Sequence, residues 1–91
     1  SKGYYVTVPD EEILKAIPEL GKAGIFVEPA AAAAFAGLRK DLRAGRLTPE
    51  SPVLVLCTGS GLKDVRAAIS AVPSAPIIEP SIQALMKVIH D

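Results

Sequence analysis

The chain has little of what most small sites are made from. It holds one cysteine and one histidine, so an internal disulfide is excluded, and so is a zinc centre built from His and Cys. It carries no excess charge: ten Lys and Arg balance ten Asp and Glu, with a pI near 6.5. A general affinity for nucleic acid or acidic lipid needs a surplus of basic residues, so neither partner is expected. No apolar run approaches the length of a membrane span. The opening SKGYYVTV lacks the basic and apolar regions of a signal peptide, and a reducing, cytoplasmic setting is expected. Ninety-one residues, 49% of them hydrophobic, suffice for one small domain over 1–91 and leave it with a thin core.

What is present reads as an alternation of strands and helices. Residues 4–8 are aromatic and β-branched and predict a short strand ended by Pro9. Asp10 is placed to cap a helix whose buried stripe is Ile13, Leu14, Ile17 and Leu20. Pro18 interrupts that stripe and predicts a kink or break, with Gly21 and Gly24 closing the segment. Pro29 suits the first position of a second helix, and residues 30–34, all alanine, have the highest helix propensity available. Phe35, Leu38 and Leu42 continue an apolar face, Arg39, Lys40, Asp41 and Arg43 are assigned to solvent, and Gly45 predicts the C-terminal cap.

After a loop with two prolines, residues 53–57 are apolar throughout, as in a strand covered on both faces. Asp64 predicts the cap of a third helix with Val65, Ala68, Ile69 and Val72 on one face. Ile77 and Ile78 predict a short strand, and Ser81 caps a last helix buried along Leu85, Val88 and Ile89. The order β-α-α-β-α-β-α predicts an α/β fold with a small, partly parallel sheet flanked by helices.

Ligands of open α/β sheets sit at the carboxyl ends of strands, and Thr58-Gly59-Ser60-Gly61 lies at such an end. Its glycines permit positive φ and a close approach. A phosphate cradle, a polar pocket for a heterocycle and a plain strand-to-helix turn all fit these residues. A P-loop does not, because no Lys-Ser or Lys-Thr pair follows at the required spacing, and the dinucleotide glycine pattern is incomplete. Cys57 reads as a buried strand residue, since no base is evident beside it. His90 reads as a surface residue at a helix end. Glu28 either touches a ligand or places charge at a helix start.

Two stretches in the same order carry a resemblance. Residues 24–33, GIFVEPAAAA, and 56–64, LCTGSGLKD, resemble the "GIFVEPASAA" and "LTGxGLKD" segments of the threonine synthases. VPDEEI at 8–13 and APIIEPS at 75–81 resemble that family's flanking segments, so the likeness spans nearly the whole chain. The family implies the large domain of a fold-type II pyridoxal-phosphate enzyme that converts O-phosphohomoserine and water to threonine and phosphate. By the resemblance, Thr58 meets the pyridine nitrogen of pyridoxal 5'-phosphate, Gly59 passes close to the ring, and Glu28 lies near the site. The family's "SFKDRG"-like segment with its Schiff-base lysine, and its glycine loop for the cofactor phosphate, do not occur in these residues. Lys63, in the GLKD turn, is no substitute.

The expectation is therefore a C-terminal portion of a threonine synthase. It has no catalytic residue of its own, is inactive and does not hold the cofactor tightly alone. Its expected partners are the remainder of the parent chain and, through an exposed sheet edge, other copies of itself. The family often has Ser where this chain has Ala31 or Ala32, so neither position offers a hydroxyl from that helix. A threonine or serine dehydratase-like lyase is the near alternative, although its strand tip reads Ser-Gly-Gly-Asn. A free-standing module for small anions is the alternative from another class.

Overall fold

The computed structural model describes residues 2–90. Its helices are α1 (Asp10–Lys22), α2 (Pro29–Arg43), α3 (Val65–Ser70) and α4 (Ile82–His90), with a 3-10 turn at Gly61–Lys63. The core is the contact of α1 with α2. Ala16, Ile17 and Leu20 of α1 meet Ala31, Ala32 and Ala36 of α2, and Val27 closes one end. Ala16 and Ala32 are wholly buried, so the alanine run serves close approach of two helices. Val8, Phe35, Cys57, Ala67 and Ala71 pack around this nucleus.

Helix ends follow local chemistry. Asp64 accepts from Ala67 N–H at 3.1 Å and Ser81 Oγ from Ala84 N–H at 3.1 Å, each satisfying a donor the helix cannot satisfy itself. Gly24 and Gly45 take φ of 84° and 76° and end α1 and α2 in the same motif. Gly24 N–H donates to Gly21 O and Ile25 N–H to Leu20 O, while Gly45 N–H donates to Leu42 O and Arg46 N–H to Asp41 O. This is the paired Schellman pattern, which requires a left-handed residue after the cap. At the start of α1 the cap position falls on Pro9, not Asp10; Asp10 is the first helical residue and its side chain makes no capping bond.

Three further expectations are corrected. First, α1 runs unbroken through Pro18. The proline removes one backbone hydrogen bond, but Ile17 and Leu20 on either side of it are buried against α2, and that packing holds the last turn in place.

Second, among the described residues there is no sheet. The expected strands at 4–8, 53–57 and 77–78 form no ladder, and the isolated bridge, Val27 to Ser60, is antiparallel. A strand is stable only when a neighbour takes its N–H and C=O groups and covers its faces, and here Leu54 is 90% exposed and Ile77 fully so.

Third, Asp41 is buried and Arg39 is not free in solvent. The Arg39 guanidinium lies 5.7 Å over the Phe35 ring with Nη1 buried.

The chain is correspondingly open. Its Cα radius of gyration is 16.9 Å, against about 12 Å for a compact chain of this length. It exposes 7206 Å², where about 5,000 Å² is typical of a folded monomer of this mass. No residue of α4 is buried. Among the described residues no helix is long and apolar enough to cross a membrane.

Candidate functional site

The apolar segment 53–57 ends at the loop Thr58–Gly61, which crosses the chain just before α2. Glu28 N–H donates to Gly59 O at 3.0 Å and Gly61 N–H donates to Phe26 O at 3.1 Å. These two bonds flank the bridge between Val27 and Ser60. The structure thus places Gly59 against Glu28, with Thr58 next to it in the chain.

The reason for the glycines differs from expectation. Neither Gly59 nor Gly61 has positive φ. Both are required by proximity: a Cβ on Gly59 would overlap the Glu28 side chain, and one on Gly61 would overlap the Phe26 ring. Phe26 is the site residue that sequence reasoning passed over as part of a short apolar stretch. Its signal is the alternation of Phe26 and Glu28 about Val27, matched by two glycines about Ser60.

The loop's later donors are used internally. Leu62 N–H donates to Ser60 Oγ at 3.2 Å, Lys63 N–H to Ser60 O, and Asp64 N–H to Gly61 O. Together with Gly61, four successive N–H groups are therefore turned away from any ligand, which disfavours a phosphate cradle here. The Thr58 side chain is exposed and makes no hydrogen bond with the described residues. Cys57, one residue before it, is half-buried against the core rather than fully enclosed. His90 lies exposed in the last turn of α4, and its side chain makes no hydrogen bond with the described residues. No cluster of metal-ligating side chains exists among the described residues.

A second polar constellation lies across the far end of α2 and was not foreseen. Asp41, 6% exposed, accepts from the Tyr4 hydroxyl at 2.5 Å and from Arg46 Nη1 at 2.7 Å. The Tyr4 hydrogen bond, and then that of Arg46, hold the Asp41 carboxyl below its ordinary range. The same bond from Tyr4 to Asp41 is the chief reason the phenol is pushed up. Lys40 Nζ reaches Thr7 O at 2.6 Å, and Arg43 faces Glu12 at 3.5 Å. This network straps residues 4–7 to α2 where no β-ladder does.

At the tip of the apolar segment an exposed hydroxyl, Thr58, thus stands beside a glycine packed against Glu28. The chain matches the pyridoxal-phosphate dependent enzyme family over residues 1–59 and belongs to it. The residues present fit one side of that cofactor: a neutral hydroxyl for the ring nitrogen and a low loop beside it. They provide no phosphate cradle, and Lys63 is exposed within the 3-10 turn.

More narrowly, the chain is similar to three proteins named threonine synthase. It is 43% identical over 82 residues to that of Halalkalibacterium halodurans, covering 89% of this chain and 23% of the relative. Identity is 41% over 92 residues with that of Methanocaldococcus jannaschii, covering 100% and 23%. It is 45% over 75 residues with that of Mycobacterium leprae, covering 81% and 21%. The chain therefore spans less than a quarter of the length of the relatives it matches.

Proposed function

We propose that this chain is the C-terminal portion of a threonine synthase, which converts O-phosphohomoserine and water to threonine and phosphate. The observation that carries this reading is the Thr58 hydroxyl, exposed and unpartnered at the tip of the apolar segment beside Gly59 and Glu28. The likeness to proteins of that name along nearly the whole chain supports it.

Pyridoxal phosphate, when bound, supplies an electron sink for reactions at the amino-acid side chain. This chain's part is to hold the pyridine-nitrogen edge. Thr58 offers that nitrogen a neutral hydroxyl rather than a carboxylate, so it does not force the nitrogen to keep a proton. Gly59 lets the loop lie against the Glu28 side chain, and Glu28 anchors the loop through its N–H. The rest of the parent chain contributes the reactive lysine and the phosphate cradle. It also supplies the strands that turn residues 53–57 into part of a partly parallel sheet. Alone, the 91 residues are inactive and bind the cofactor weakly.

The test is made in the full-length protein. Thr58→Val is expected to lower kcat about tenfold, the scale of one hydrogen bond, and to shift the cofactor's absorbance band. Thr58→Asp is expected to stabilise the protonated ring and to increase transamination side products. Unchanged spectra and products in both variants would overturn the role of Thr58. Release of ammonia and a 2-oxo acid from threonine or serine by the wild type, without threonine formed from O-phosphohomoserine, would assign the dehydratase alternative.

A further inference from the structure

Thr58 can serve a ring nitrogen only if its backbone is held at one height and one register, and the contacts that do this lie outside the residues expected to touch the cofactor. In the antiparallel crossing centred on Val27 and Ser60, Gly61 stands directly opposite Phe26 and Gly59 directly opposite Glu28. Side chains alternate across such a pair, so Phe26 and Glu28 lie on one face and Val27 on the other. Val27 is buried in the core, whereas Phe26 is half exposed. With no Cβ opposite, the Phe26 ring settles over Gly61 and the Glu28 side chain over Gly59. Two backbone hydrogen bonds at an open crossing specify register weakly. A ring over a glycine specifies it strongly, because a slip of one residue sets the ring against Ser60. Aromatic cover of an otherwise bare glycine is also a known way to stabilise such a position.

We propose that Phe26 and Gly61 form a positioning pair for Thr58, seating the loop at the register in which the hydroxyl meets the cofactor. This rests on the function proposed above. Neither residue touches the reacting atoms; both act through the backbone of residues 58–61. The loop beyond Gly61 leads straight into the 3-10 turn and the Asp64 cap of α3, so the pair holds the loop from its far side while Glu28 holds the near side.

The experiment uses the full-length protein and the variants Gly61→Ala, Phe26→Ala and the double substitution. In Gly61→Ala the new methyl displaces the ring and the loop. The expected result is a fall in kcat of about tenfold to a hundredfold, the scale of a misplaced site group, with KM nearly unchanged. A displaced cofactor absorbance band accompanies it. In the apo-protein, hydrogen exchange at the Gly61 and Glu28 amides accelerates, a readout independent of activity. Phe26→Ala alone loosens the same amides. In the double variant the methyl has room, so kcat and the band match those of Phe26→Ala and fall no further, a coupling that independent sites do not show.

If Gly61→Ala does not fold, Phe26→Ala decides alone: normal amide protection and a normal band would overturn the proposal. A Gly61→Ala protein that is only less heat-stable, with kcat and spectrum intact, would overturn it as well. A wild type that neither binds pyridoxal phosphate nor forms threonine would instead overturn the function on which the proposal rests.

Discussion

The Tyr4 hydroxyl donates to Asp41 at 2.5 Å across 37 positions of sequence, and with the bond from Lys40 to Thr7 O it ties the N-terminal segment to the last turns of α2. Its consequences are visible in pH. Asp41 is held below its ordinary value of 3.8, so its contribution to stability is complete above that value and is lost as pH falls through the depressed one. Tyr4 is raised above 10.0, so its contribution is complete below pH 10 and is lost as pH rises through the elevated value. The bond is thus fully present from about pH 4 to pH 10. Tyr4→Phe is expected to abolish the alkaline loss and to shrink the acid one, because the phenol is the largest cause of the Asp41 shift. Thermal melts of both proteins across pH 3–11 check this, and an unchanged alkaline limb would refute it.

Replacing Gly45 by alanine places a Cβ in a left-handed conformation at the end of α2. The expected loss is about 1–2 kcal/mol, seen as a lower denaturation midpoint in urea with an unchanged slope. Open space surrounds the position, so a loss would report backbone strain and not a clash.

Ala32 is wholly buried where α2 meets α1. Ala32→Leu forces the helices apart and is expected to cost about 1–3 kcal/mol, whereas Ala34→Leu, on the exposed side of the same helix, should be near neutral. Equal effects at the two positions in denaturant titrations would contradict the packing described.

Pro18→Ala restores a donor to the Leu14 carbonyl within an unbroken helix. Stability is expected to rise by roughly 1–3 kcal/mol. A fall in the melting temperature would mean that the proline ring's own packing outweighs the missing bond.

The 91-residue chain on its own exposes about 2,000 Å² more than a monomer of its mass normally does. Leu54, Leu56, Ile77 and Ile82 are among the residues responsible. It is expected to self-associate in light scattering and to bind a hydrophobic dye. A monodisperse, dye-silent monomer would contradict this.

Much of the architecture could be read locally. Asp64 and Ser81 were legible as caps because an N-cap bond spans three residues, and Gly24 and Gly45 as terminators because only a residue at ease with positive φ ends a helix in that way. Family likeness pointed to Thr58, Gly59 and Glu28, whereas the contact of Glu28 with Gly59 came from the structure. Pro18 misled, since its cost is local while its compensation, the burial of Ile17 and Leu20 against α2, is not. Asp41 and Arg39 were assigned to solvent because helical periodicity describes one helix and is blind to Tyr4 arriving from elsewhere.

By itself, then, the sequence determined that the four helices form and which caps and glycines bound most of them, which small residues allow α1 and α2 to touch, and which family the chain belongs to. These depend on hydrogen bonds and volumes within a few residues, and on a pattern of letters. Only the tertiary structure decided that Asp41 is buried, that the apolar runs lack a sheet, and that Gly59 and Gly61 are glycines because Glu28 and Phe26 lie across them. A ladder, a buried carboxylate and a close crossing each need a second segment, distant in the chain, to be in place beside the first.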